Sequence, residues 1–396
     1  MIKYNMITPE GTKDSLFQEC IIRRDIEGKS CGIFRERGYH EVVTPGIEYY
    51  DVFDLAGAAI PQHEMYKSTD HRGRLVVFRP DLTLPIARLA ATRLKNHEKP
   101  IRLYYNQTIY RNRPDLSGRS DESTQTGIEL LGIDGIRADL EAIVTAVQTL
   151  SACGVNFRLE IGHASLFHNL ADRLNVSDTV KEDLRCTIES KNYAALNDIL
   201  DKIPPSLYRD GIKALPRLFG GKEVFQKAAQ YCVEKEAEKT LTYLQKLYVA
   251  LCQLGLGDKI MIDLGLTQRN DYYTGVIFSA YVEGHGAAVL LGGRYNHLLE
   301  KFNAPMPAVG FGLDVDAVAS ILLDRQELAL SPPNVVIFGE DGYEIEGQLL
   351  LAKLTATGKI CENALFATWE ETLVYAKARN IAKAVYVGEV TKEVCL

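Results

Sequence analysis

The sequence predicts an α+β fold, in which an antiparallel sheet is flanked by helices. Alternating apolar and polar residues in IRLYYNQTIYR, residues 101–111, and QTGIELLG, residues 125–132, are typical of strands that pair as a hairpin. Residues 165–256 differ, because their apolar side chains recur at helical spacing without a strand pattern. This stretch indicates a helical insertion within the sheet domain.

A linker signal, SPPN at residues 331–334, precedes a change of pattern. Strand-like and helix-like stretches then alternate, which is typical of a small α/β domain with parallel strands. We therefore expect two domains, residues 1–330 and residues 331–396.

The individual elements follow from local signals. A helix is expected at residues 15–37, with Asp14 or Ser15 as its cap and Gly38 as its end. Another helix follows Asp81 or Thr83, with Pro85 in its first turn, and a third covers residues 137–152. Further strands are expected at residues 41–49, 75–79, 155–162, 259–266, 272–283, 287–293, 335–339 and 382–389. In the last domain helices are expected at residues 346–358 and 371–380, and ICENALFA, residues 360–367, has no clear pattern.

Composition limits the classes of function. The 396 residues carry a net charge of −7 at pH 7, which does not favour nucleic-acid binding. Eight scattered cysteines include no CxxC pair, so we expect reduced thiols and neither a metal site nor a cofactor. No apolar stretch reaches the length of a membrane span, and MIKYNMITPEGTKD has no apolar signal core. A cytoplasmic location is expected.

Five motifs occur in order: RPDLTLPIARLAATRL, RLYYNQTIYRNRPDLSGRSDESTQTGIELLG, NDYYTGVIF, LLGGRYNHLLEKF and AVGFGLDVDAV. Together they resemble the catalytic domain of class II histidyl-tRNA synthetases. GYHEVVTPGIE, with Pro45, is similar to the dimer-forming first motif of that family, and YAKARNIAKAVYVGE resembles part of its anticodon-binding domain, here shortened. The resemblance implies a class II aminoacyl-tRNA synthetase-like fold.

The same resemblance implies a pocket for L-histidine. Its residues would be Asp81, Thr83, Arg111, Gln125, Glu129, Tyr272 and Tyr273. Physical reasoning agrees, because Gln125 and Glu129 lie at period two on one strand face, and Asp81 and Glu129 supply carboxylates for an ammonium group. In the alternative interpretation the tyrosines belong to the core, and Gln125 and Glu129 lie on an exposed face.

Several residues with which the synthetases contact ATP are replaced in this sequence. A glutamate that reads adenine is replaced by Arg113, and guanidinium cannot accept a hydrogen bond. Arginines of the synthetases are replaced by Asp121, Gln268 and Ala317. Arg269 is one residue out of register, and in an extended chain it would point away from the pocket. We expect aminoacylation to be lost, since removal of one such group typically slows an enzyme by ~100-fold or more.

SGRSDESTQTGIELLG and RPDLTLPIARLAATRL are more similar to one paralogous family, the regulatory subunits of ATP phosphoribosyltransferase. That resemblance implies a non-catalytic chain that works with a short catalytic subunit in the first step of histidine biosynthesis and helps transmit feedback inhibition by L-histidine. It also implies homodimers within a hetero-octamer. Two other interpretations stay open here: an active histidyl-tRNA synthetase, and a stand-alone histidine sensor or tRNA-like binding module.

Overall fold

A computed structural model describes residues 4–55, 60–113, 120–267, 272–325 and 332–396. The chain divides into two compact units, Met1–Gln326 and Glu327–Leu396. Gln268 and Arg269, on which part of the sequence argument depends, lie outside the described residues.

The described residues form twelve helices: α1 Phe17–Glu36, α2 Thr83–Thr92, α3 Ile136–Ala152, α4 Ala164–Ala171, α5 Asp178–Glu189, α6 Tyr193–Leu200, α7 Leu207–Ala214, α8 Glu223–Ala229, α9 Lys235–Gln253, α10 Val315–Arg325, α11 Glu344–Thr355 and α12 Trp369–Ala378. Their strands are β1 His40–Glu41, β2 Ile47–Tyr49, β3 Lys67–Thr69, β4 Leu75–Phe78, β5 Ile101–Tyr110, β6 Glu122–Leu131, β7 Phe157–His163, β8 Phe219–Gly220, β9 Ile260–Asp263, β10 Val276–Val282, β11 Ala288–Arg294, β12 Ala308–Asp314, β13 Val335–Gly339, β14 Cys361–Asn363, β15 Lys383–Val387 and β16 Lys392–Cys395.

The first unit is built on a large sheet with the strand order β1-β5-β6-β12-β11-β10-β7-β9-β8. Neighbouring strands are antiparallel, except that β1 pairs with β5 and β7 pairs with β9 in parallel. The predicted hairpin of β5 and β6 is continuous, with Leu103 opposite Glu129 and Gln107 opposite Gln125. A small second sheet has the order β2-β4-β3.

Helices cover both faces of the large sheet. On one face α1 packs against β5 and β12, where the Phe34 ring lies 5.7 Å from Tyr104 and 6.0 Å from Phe311. On the other face the apolar side of α2, including Leu84 and Ile86, joins a buried cluster with Tyr105 of β5. Glu129 and Gln125 belong to this second face, since their cross-strand partners do.

The helical insertion consists of α4 to α9. Side chains of Ser177, Asn192 and Ser206 accept hydrogen bonds from the first turns of α5, α6 and α7, which explains where these helices begin. The expectation that residues 165–256 contain no strand was wrong, because β8 pairs with β9 at the edge of the large sheet. A two-residue strand has no periodicity that a sequence pattern could show.

The second unit is a four-stranded sheet with the order β14-β13-β15-β16. Strands β14, β13 and β15 are parallel, as expected for α/β alternation, and β14 lies within the ambiguous ICENALFA stretch. The antiparallel strand β16 was not predicted. A capping box of Thr368 and Glu371 begins α12.

Two observations bear on other classes of protein. Among the described residues, no helix combines the length and the apolar composition that a bilayer crossing requires. The described His, Cys, Asp and Glu side chains form no group of three or more that could hold a metal ion.

Candidate functional site

A cluster of polar side chains lies beneath α2, centred on Glu129. We call it the inner pocket, and its members are Asp81, Thr83, Tyr105, Glu129, Tyr272, Tyr273 and Tyr295. Glu129 is 1% exposed. Thr83 Oγ1 donates to Glu129 Oε1 over 2.8 Å, and the Tyr295 hydroxyl donates to Oε2. Both oxygens of the buried carboxyl are therefore held by donors from different elements.

Burial controls the charge of Glu129. Loss of hydration, with a smaller contribution from the nearby Asp81, raises the pKa of its carboxyl to about 8. Hydrogen bonds from Tyr295 and Thr83 oppose the rise in the pKa. The carboxyl is consequently mostly neutral at pH 7, and a cationic group placed beside it would favour the carboxylate.

Asp81 lies at the start of α2 and supplies a second buried carboxyl. Its Oδ1 accepts from the Leu84 N–H over 2.9 Å, so it caps the first turn of the helix as the sequence suggested. Burial raises the pKa of Asp81, whereas the positive charge of Arg111 lowers it. Arg111 is held nearby, since its Nε donates to the Pro80 carbonyl over 2.8 Å.

Aromatic rings form the walls of the inner pocket. The Tyr272 ring centroid lies 4.8 Å from that of Tyr273 and 5.8 Å from that of Tyr295. The Tyr105 hydroxyl donates to the Phe311 carbonyl over 3.3 Å. Burial raises the pKa of Tyr105, Tyr272 and Tyr295 well above the usual range, so their hydroxyls stay protonated and can donate.

Two glycines of the sheet leave room for these side chains. A Cβ at Gly310 would lie 1.8 Å from Glu129 Oε2, and one at Gly293 would lie 2.6 Å from the Tyr273 ring. Any larger residue at these positions would occupy the space of the pocket side chains. The glycines in GFG and GGRY are thus explained by close approach.

Next to the inner pocket is an open cavity of about 470 Å³, which we call the outer cavity. Its described lining residues include Arg111, Arg113, Gln125, Asp316 and Ala317. Of the seven predicted histidine-site residues, Arg111 and Gln125 line this cavity, and the other five belong to the inner pocket. The structure thus brings all seven together, but in two adjoining compartments.

Two positions where the resemblance called for an arginine are Asp121 and Ala317, and of these Ala317 lines the outer cavity. Asp121 accepts from the Tyr66 hydroxyl and from the Arg113 N–H, the latter over 3.0 Å. Asp316 pairs with Arg23 at 3.1 Å, and the Ala317 N–H donates to Asp314 over 3.0 Å. These acidic groups have structural partners, and the side chain of Ala317 offers no donor.

Sequence reasoning missed Tyr105 and Tyr295. Tyr105 lies at period two from Leu103 within an apolar strand, so nothing distinguished it from core. Tyr295 lies in GGRY, which is too short to carry a prediction alone. Its contact with Glu129 joins residues 166 positions apart, a distance at which local pattern contains no information.

Comparisons with known proteins agree with this geometry. A family model described as histidyl-tRNA synthetase matches residues 11–318. An ATP phosphoribosyltransferase regulatory subunit from Clostridium botulinum is 38% identical over 386 residues, which are 96% of this chain and 92% of that protein. A regulatory subunit from Clostridium kluyveri is 36% identical, over an alignment that spans 96% of this chain and 99% of that protein. The chain belongs to the ATP phosphoribosyltransferase regulatory subunits, a family of histidyl-tRNA synthetase-like proteins.

A solved structure supports the same assignment. It is described as an ATP phosphoribosyltransferase regulatory subunit/histidyl-tRNA synthetase from Bacillus halodurans, with a TM-score of 0.88 and 27% identity over 98% of this chain and 100% of that one. The predicted class II synthetase-like fold and the resemblance to the regulatory-subunit family are confirmed. The seven histidine-binding residues stay a prediction.

Proposed function

We propose that this chain is the non-catalytic regulatory subunit of an ATP phosphoribosyltransferase and works with a separate short catalytic subunit in the first step of histidine biosynthesis. The observation that carries the proposal is the likeness to regulatory subunits over nearly the full length of both chains. In that step ATP and phosphoribosyl pyrophosphate give phosphoribosyl-ATP and pyrophosphate, and the regulatory subunit helps transmit feedback inhibition by L-histidine.

The inner pocket is the proposed binding site for L-histidine. Asp81 and Glu129 offer two buried carboxyls to an ammonium group, and such charge-assisted hydrogen bonds are strong in a buried site. Tyrosine hydroxyls and rings suit an imidazole, which is both planar and polar. A site made of buried polar groups rejects a ligand that leaves them unpaired.

Loss of aminoacylation is the second part of the proposal. Transfer of an amino acid to ATP requires cations that stabilise charge on the α-phosphate. The outer cavity has Ala317 at one such position and Arg113 where an adenine acceptor is needed. Since each missing group typically costs ~100-fold or more, the retained Arg111 and Arg119 do not suffice.

A second copy of the chain is the proposed partner of the first motif. Ile47 and Phe78 lie opposite each other on β2 and β4, and Tyr49 follows on the same face. All three side chains are exposed, as is the preceding Val43 at 72%. An apolar patch of this kind is typical of a protein interface. We propose a homodimer within a hetero-oligomer, a hetero-octamer by resemblance to the family, and no nucleic-acid partner.

The direct test is reconstitution. The chain is mixed with a short catalytic ATP phosphoribosyltransferase subunit, and formation of phosphoribosyl-ATP is followed with and without L-histidine. We expect a large rise in turnover and a change in L-histidine sensitivity. Unchanged turnover and sensitivity would contradict the regulatory role, and the Ile47→Asp, Phe78→Asp double variant tests whether the dimer is needed.

A further inference from the structure

Arg294 ends β11 and Tyr295 directly follows it, and their side chains extend into different parts of the molecule. Neighbouring residues of an extended chain point to opposite sides. The Tyr295 hydroxyl donates to Glu129 in the inner pocket. Arg294 instead reaches Asp139 of α3, with its Nε 2.8 Å and its Nη2 2.6 Å from Oδ1. One short stretch of backbone therefore carries both contacts.

Asp139 connects this arginine to the helical insertion. Its second oxygen, Oδ2, accepts from the hydroxyl of Tyr243, which lies on α9. Asp139 is fully buried, and Arg294 is 4% exposed. A buried ion pair of this kind is costly to break, because removing Arg294 would leave the buried Asp139 carboxylate without its cation. The three side chains thus hold β11, α3 and α9 together through one carboxylate.

The backbone of Arg294 also holds the tyrosine pair of the pocket. The Thr274 N–H donates to the Arg294 carbonyl over 2.8 Å, and the Asn296 N–H donates to Thr274 Oγ1 over 2.9 Å. Thr274 directly follows Tyr273. The end of β11 therefore fixes the pocket wall on two sides, through Tyr295 and through Thr274.

We propose that Arg294, Asp139 and Tyr243 are positioning residues that couple the inner pocket to the helical insertion. A ligand that orders Tyr295 and Tyr273 also orders the end of β11, and the triad passes that order to α9. By reciprocity, a partner that binds and orders the insertion raises the affinity of the pocket. This inference rests on the proposed L-histidine site.

The test is amide hydrogen exchange with L-histidine as the probe, together with calorimetry. In the parent chain L-histidine should slow exchange both around the pocket and in α9, Lys235–Gln253. Tyr243→Phe removes only the hydroxyl, and it should abolish the slowing in α9 while leaving the slowing around Tyr295. The affinity for L-histidine should fall about 5-fold, the low end of typical coupling between sites.

Tyr248→Phe is the matched control. Tyr248 lies on the same helix and packs on Phe225 of α8, with ring centroids 5.8 Å apart. In Tyr248→Phe, L-histidine should still slow exchange in α9. In Asp139→Asn, the second test variant, this slowing should be lost. Slowing in α9 that persists in both Tyr243→Phe and Asp139→Asn would overturn the coupling alone, whereas absence of L-histidine binding to the parent chain would overturn the pocket proposal and the coupling with it.

Discussion

The inner pocket and the outer cavity share strand β6, yet they differ in what their polar groups do. In the inner pocket the two carboxyl oxygens of Glu129 are held by Thr83 and Tyr295. In the outer cavity Asp316 accepts a hydrogen bond from the Thr124 N–H, and Ala317 presents a methyl group. Buried carboxyls are thus available in the inner pocket, whereas Ala317 offers the outer cavity no donor. Under the proposed function, binding and catalysis are separated on one synthetase-like sheet.

The largest effect that tests the difference between the two compartments is expected at Glu129. Glu129→Gln keeps the shape of the side chain but removes the carboxylate that pairs with an ammonium group. We expect L-histidine binding to weaken by about 100-fold or more, since loss of a buried charge-paired hydrogen bond is worth several kcal/mol. Calorimetry measures this directly. Glu122→Gln, at the exposed start of the same strand, is the control and should bind like the parent.

The charge of Glu129 also makes stability depend on pH. Its pKa is raised from 4.5 to about 8 in the folded chain, so the folded state binds more protons than the unfolded state between these values. The stability that the protonated Glu129 adds to the folded state is fully present below the unfolded pKa and is lost as pH rises through 8. In urea unfolding, the free energy of unfolding of Glu129→Gln should rise relative to that of the parent between pH 5 and pH 8.5, by on the order of a few kcal/mol. A constant difference across this range would contradict a neutral Glu129.

A smaller effect is expected from the sheet beneath the pocket. Gly310→Ala places a methyl group in the space of Glu129, which should destabilise the fold by about 2 kcal/mol and weaken L-histidine binding. Gly286→Ala is the matched control, because no atom lies within 4 Å of its added Cβ. Thermal unfolding and calorimetry on both variants compare the two sites. Equal stability and equal L-histidine affinity of the two variants would show that position 310 tolerates a side chain.

The smallest effect is expected in the outer cavity. Ala317→Arg restores one cation of the synthetases without touching the inner pocket. L-histidine affinity should change by no more than about 2-fold, as is usual for sites that share no contacts. A large change in affinity, measured by calorimetry, would show that the two compartments form one site.

Local pattern predicted much of the first unit for clear physical reasons. Period-two alternation located β5 and β6, and with it the shared face of Gln125 and Glu129. Apolar residues at helical spacing located α3 and the helices of the insertion. The helix α1 was expected from its end signals, but the predicted cap at Asp14 or Ser15 was wrong, because α1 begins at Phe17 without a side-chain cap. Asp81 or Thr83 was predicted to open a helix, and α2 begins at Thr83, where Asp81 accepts a hydrogen bond from the Leu84 N–H of the first turn. Fold and family followed from the order of the motifs.

What pattern could not predict are contacts between distant parts of the chain. Arg294 and Asp139 are 155 positions apart, and Tyr295 reaches Glu129 from the residue that follows β11. Short strands such as β8 and β16 depend on an existing sheet edge and leave no local signal. The offset of Arg269 concerns residues outside those described, so it stays a prediction. The same holds for residues 331–396 as a shortened anticodon-binding domain.

The central claim is that the chain binds L-histidine but does not activate it. ATP–pyrophosphate exchange with saturating L-histidine tests it most directly, using a preparation in which calorimetry has shown L-histidine binding and an active histidyl-tRNA synthetase as the positive control. We predict exchange at the background level of the protein-free reaction. Exchange that depends on L-histidine and exceeds this background would contradict the account.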